Sequence, residues 1–78
     1  MIHRTSNLAL AASLRLEGFR HSGMELVDRN VAWIFDLDGD GLGVVEDFEA
    51  GQLEVEPVGF TKSLKVVRDE MYEFLENS

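Results

Sequence analysis

The stretch Val31-Ala-Trp-Ile-Phe-Asp-Leu37 limits the fold more than any other part of this chain. It is apolar at every position but Asp36 and rich in β-branched and aromatic side chains, which suits a strand covered by protein on both faces. It therefore reads as a central strand. Upstream, Phe19 to Val27 is also strand-like, with an alternation that slips at Gly23: Phe19 and His21 are in one phase, Met24 and Leu26 in the other. A glycine at such a slip predicts a β-bulge. Asp28-Arg29-Asn30 supplies a turn, so the two strands are expected to pair as an antiparallel hairpin.

A hairpin of this kind has an apolar face to cover. Phe60, Leu64, Val67, Met71 and Phe74 or Leu75 recur at intervals of three and four, and predict a long C-terminal helix packed on the hairpin. At the other end, Thr5-Ser6-Asn7 offers N-cap side chains for a helix running to about Glu17. Leu10 and Leu14 lie four apart on it, with Ala9, Ala12 and Leu16 on an adjoining stripe. Gly18 stops this helix, and a left-handed Gly18 would bring Phe19 back onto Leu14. His3 falls in an N-terminus expected to fray. A short helix, "VVEDFEA" closed by Gly51, and an extended link through Leu53 and Val55 to Pro57 complete the reading. The expected fold class is α+β: N-terminal helix, antiparallel β-hairpin, short helix and long C-terminal helix in a single small globular domain over residues 1–78.

With 45% hydrophobic residues the chain has the apolar groups needed to offset the entropy of ordering, although 78 residues make only a modestly stable domain. The absence of cysteine excludes a disulfide framework and thiolate metal sites, and makes the expected compartment cytoplasmic. "LALAASL", Leu8 to Leu14, follows Arg4 as the apolar core of a secretion signal would. It is short for one, and alanine and leucine favour an ordinary amphipathic helix. Nothing approaches the roughly 18 apolar residues of a membrane span.

The net charge of −8 is concentrated in one part of the chain. Residues 1–30 carry four arginines against three acidic residues, and residues 57–78 carry three basic against four acidic. Residues 31–56 carry no basic residue against eight acidic ones: Asp36, Asp38, Asp40, Glu46, Asp47, Glu49, Glu54 and Glu56. Such a block repels bare nucleic acid and anionic membranes, and suits a basic protein surface.

From "TSNLALAASLRLEGF" through "VAWIFD", the Asp/Gly-rich loop, "VEDFEAGQLEVEP" and "FTKSLKVVRDEMYEF", the chain resembles a family of short, uncharacterised prokaryotic and phage or plasmid proteins. Their pattern is a helix ending in Gly, a hairpin whose second strand ends in an aromatic and acidic run, a loop, an F-x-x-G segment and a long C-terminal helix. The matching positions are Ser6, Leu8, Ala9, Gly18, Phe35, Phe48, Gly51, Val55, Phe60, Leu64, Arg68 and Tyr72. They are mostly structural residue types, so the resemblance implies a compact α+β module often carried by mobile elements, and implies no chemistry.

Within the acidic block, Asp36, Asp38, Asp40 and Gly41 have the D-x-D-x-D-G spacing of a calcium loop. Asp36, Asp38, Asp40, the Leu42 carbonyl and Asp47 can be laid on ligand positions one, three, five, seven and twelve, with Gly41 at six. Against this, Gly43 stands where a β-branched residue is usual, Asp47 is shorter than the closing Glu, and a strand rather than a helix leads into the loop. A strand turning into a helix explains the same residues without metal, as turn and cap groups.

Signals for catalysis are weak. His21, beside Ser22 on the first hairpin strand, has no acid at a motif spacing and reads as a solvated edge-strand residue. "DGDGLG" lacks the Lys-Ser/Thr of a phosphate loop, and there is no zinc set. Trp33, Phe35 and Phe48 read as core, and Lys65, Arg68, Asp69 and Glu70 as a solvated face with Lys65 and Asp69 paired. The leading expectation is a non-enzymatic acidic protein-interaction module without a cofactor, whose eight carboxylates dock on a basic, nucleic-acid-binding surface of a host protein; in a phage or mobile-element setting it would be an inhibitor and DNA mimic. The alternatives are a calcium-binding loop, with Asp36, Asp38, Asp40 and Asp47 as ligands, and a homodimeric structural protein paired through a strand edge or helix stripe.

Overall fold

The computed structural model describes residues 1–77 as a small α+β domain of three helices and a three-stranded antiparallel sheet. The elements are β1 (Ile2–Thr5), α1 (Leu8–Leu16), β2 (His21–Val27), β3 (Asn30–Asp36), α2 (Gly39–Glu49) and α3 (Pro57–Glu76). The sheet order is β1-β3-β2, so β3 is central, as its composition requires. Trp33 and Phe35 are fully buried on one of its faces and Ala32 is buried on the other. The bulge falls at Ser22, where the register jumps from His21 opposite Phe35 to Gly23 opposite Ile34.

Two features differ from the sequence reading. The N-terminus is a third strand: Ile2 to Thr5 pair with Asp36 to Trp33, which places His3 opposite Phe35 and half-buries it. The long helix α3 packs chiefly on α1 rather than on the hairpin. The cause is α1 itself, in which Leu10, Ala11, Ala12, Ser13 and Leu14 are all buried. A helix apolar around its circumference must be covered on several sides. Its alanines let α3 approach closely enough for Ser63 Oγ to donate to the Ala12 carbonyl at 2.7 Å. Val67 of α3 is fully buried here, with Phe60, Leu64 and Met71 packed around the same core.

The helix ends follow from local chemistry. Asn7 caps α1, its Oδ1 accepting from the Ala9 and Leu10 amides at 2.9 and 3.3 Å. At the other end Gly18 has φ +96°, and the Phe19 and Gly18 amides donate to the Leu14 and Arg15 carbonyls. Gly51, with φ +71°, ends α2 in the same way. Left-handed glycine with paired terminal carbonyls is how both helices stop.

One polar cluster ties three elements together. Arg15 of α1 donates to both carboxylate oxygens of Glu70 on α3 at 2.9 and 2.8 Å, and lies 3.4 Å from His21 Nδ1 on β2. His21 Nε2 is 4.0 Å from Glu70, and its ring meets Phe35 edge-on. The Arg15 and Glu70 side chains are only 21% and 27% exposed, so truncating one leaves a partly buried charge behind. Arg15→Ala is expected to lower stability by about 1 kcal/mol, with Glu70→Ala milder because the arginine can swing to solvent. Urea unfolding followed by the fluorescence of Trp33 measures both. Among the described residues, that indole nitrogen is buried without a hydrogen-bond partner.

Among the described residues, no helix is long and apolar enough to cross a membrane.

Candidate functional site

All eight carboxylates of the acidic block are exposed. The fold divides them by what they do locally. Asp38 is the N-cap of α2, with Oδ1 accepting from the Gly41 amide at 3.0 Å. Glu56 is the N-cap of α3, its two oxygens accepting from the Val58 and Gly59 amides ahead of Pro57 at the first helical position. Asp36 lies 3.2 Å from the Met1 amine at the end of β3. Asp40 sits in the first turn of α2, where the helix dipole favours a carboxylate.

The remaining four have no such role. Glu46, Asp47 and Glu49 crowd the last turns of α2, where the dipole is negative and no basic residue answers it. Glu46 and Glu49 are also three apart on the same helix, a spacing at which like charges repel. Glu54 projects from the link between α2 and α3. Among the described residues, none of these four has an ion-pair partner. The buried face of α2, with Gly41, Val45 and the partly buried Phe48, holds the opposite side of the helix to the protein.

The helix begins five residues earlier than "VVEDFEA" predicts, and takes in most of the Asp/Gly stretch: Gly39 to Gly43 are helical. The calcium-loop geometry is therefore not formed. Asp40 and Asp47 stand seven positions apart on α2, roughly 10 Å along its axis, on a regular helix rather than around the turns of a calcium loop. Gly41, the expected sharp-turn residue, is outside the left-handed region and buried. Among the described residues, no group of three or more histidine, cysteine, aspartate or glutamate side chains is placed to hold a metal ion.

Trp33, Phe35 and Phe48 belong to the core and its margin, as their surroundings in sequence indicate. Lys65 and Asp69 are both exposed on α3, but no ion pair joins them. The Arg15–His21–Glu70 cluster was invisible in the sequence, because Glu70 stands 55 residues from Arg15. Comparison with protein-family models, curated proteins and solved structures finds no match for this chain.

Proposed function

We propose that this protein is a non-enzymatic interaction module of the cytoplasm whose acidic face docks on a basic, nucleic-acid-binding surface of another protein. The observation that carries this reading is the placement of Glu46, Asp47 and Glu49: three exposed carboxylates without cationic partners among the described residues, held at the helix end where the dipole opposes them. Stability alone would favour lysine or arginine there. A basic partner reverses the sign, since its charges relieve both the dipole and the mutual repulsion on docking, and the long-range field speeds the encounter.

Asp40, Glu46, Asp47, Glu49 and Glu54 form the face that remains once the caps and Asp36 are set aside. Carboxylates spaced along a helix and link stand in for a row of phosphates, so a DNA-binding surface is the partner class that fits. In a phage or mobile-element setting the outcome of such docking is inhibition of host DNA-binding machinery. The test is competition: a partner captured by the immobilised protein at low salt should be released by duplex DNA. A partner that holds duplex DNA and this protein together contradicts the mimicry.

A further inference from the structure

Between α2 and α3 the chain runs through Gln52-Leu-Glu-Val-Glu56 without forming helix or sheet. Its burial alternates: Leu53 and Val55 are half-buried, Glu54 and Glu56 exposed. That is the two-residue period of a strand with one apolar and one solvated face. Among the described residues, the backbone N–H and C=O groups of Leu53, Glu54 and Val55 have no hydrogen-bond partner. Beneath the segment lies a part-open cavity of about 230 Å³, lined by Ser13, Phe48, Gly51, Leu53, Val55 and Phe60. A cavity of about 150 Å³ already holds a benzene ring, so this one has room for a large side chain.

We infer that residues 52–56 accept an extended segment of the basic partner by strand addition, with lysine or arginine at alternate positions and one large apolar side chain seated in the cavity. The inference rests on the acidic-docking reading and specifies its mode. Main-chain bonds give affinity in such pairings, and pockets for alternate side chains give selectivity. Charge selects the occupant: the solvated face of the segment presents Glu54, with Glu56 beside it, and cross-strand neighbours of opposite sign are favoured. On the other face, Leu53 and Val55 border the cavity, so the residues between the basic ones point inward, and the apolar anchor is one of them.

The probe is a ten-residue peptide alternating lysine and threonine, with phenylalanine replacing one central threonine. Two isomers carry backbone N-methyl groups, one on the lysine amides and the other on the threonine and phenylalanine amides. A strand pairs through one edge, which carries the amides of alternate residues only. One isomer should therefore bind roughly tenfold or more weakly than the parent, and the other about as well as the parent. Amide resonances of Leu53 and Val55, or of Glu54 and Glu56, should shift with the parent peptide. Two isomers that behave alike overturn strand addition. If both then bind as the parent does and lose binding at high salt, the acidic-docking reading stands without it; if no peptide binds at low salt, both fail.

Discussion

Gly41→Ala is expected to lower the melting temperature by about 5–10 °C, while the same substitution two residues later, Gly43→Ala, raises it by about 3–6 °C. Both glycines lie in α2, where alanine is favoured over glycine by about 1 kcal/mol. Their surroundings decide the sign. A methyl group at Gly41 would stand 2.8 Å from Leu37 Cδ2, 3.0 Å from Leu37 Cβ and 3.2 Å from Phe19 Cε1. Leu37 is buried in the core and its Cβ cannot rotate away, so the helix must shift, at a cost of about 1–3 kcal/mol.

A methyl at Gly43 meets nothing within 4 Å, and only the gain in helix propensity and the smaller entropy of the unfolded chain remain. Thermal unfolding followed by circular dichroism gives both values. A calcium loop would also be weakened at position 41, in its metal-bound form, but would gain little at 43, so the rise for Gly43→Ala is what separates the two. Equal shifts at both positions contradict the helical account of residues 39–49.

The second large effect separates stability from function. Glu46→Lys, Asp47→Lys and Glu49→Lys together are expected to raise stability by about 1–2 kcal/mol, because three cations replace three anions at the negative end of α2. Over a domain of this size that is about 5–10 °C in melting temperature, shrinking as salt is added. The same triple variant is expected to lose partner binding altogether, since the face now repels a basic surface. A variant that folds better and binds worse cannot be explained by damage to the fold. Asp38 and Glu56 are unsuitable for such reversals: each caps a helix, and its loss costs about 1 kcal/mol whatever the partner.

Much of the fold is legible along the chain wherever the cause is local. Asn7 as a cap, Gly18 and Gly51 as helix ends, the bulge before Gly23 and the apolar stripe of α3 each depend on a few neighbouring residues. The strand β1 is not legible in that way. Ile-His-Arg-Thr carries no turn signal and little apolar surface, and it becomes a strand only because β3, some thirty residues on, offers an edge. The start of α2 escapes for a related reason. Gly39-Asp-Gly-Leu-Gly has poor helix propensity, and the helix forms there because Asp38 caps it and Gly41 lets it close on Leu37 and Phe19.

The position of α3 follows from α1: "LALAASL" is apolar nearly all round, the mark of a helix with several partners, so α3 packs on it rather than on the hairpin. For the acidic face, exposure of the eight carboxylates follows from their number alone. Which of them the fold occupies does not, because capping by Asp38 and Glu56 and the approach of Met1 to Asp36 depend on where the helices and β1 begin.

The central claim is that the unanswered charges on α2 and the following link are a docking face. Its most direct test is capture from host-cell lysate with the parent protein and the Glu46/Asp47/Glu49→Lys variant side by side, at low and at high salt, with the bound proteins identified by mass spectrometry. The account predicts that the parent retains a basic, nucleic-acid-binding protein at low salt, loses it at high salt, and that the variant never retains it. The same protein held equally by parent and variant, or held by the parent regardless of salt, contradicts the account.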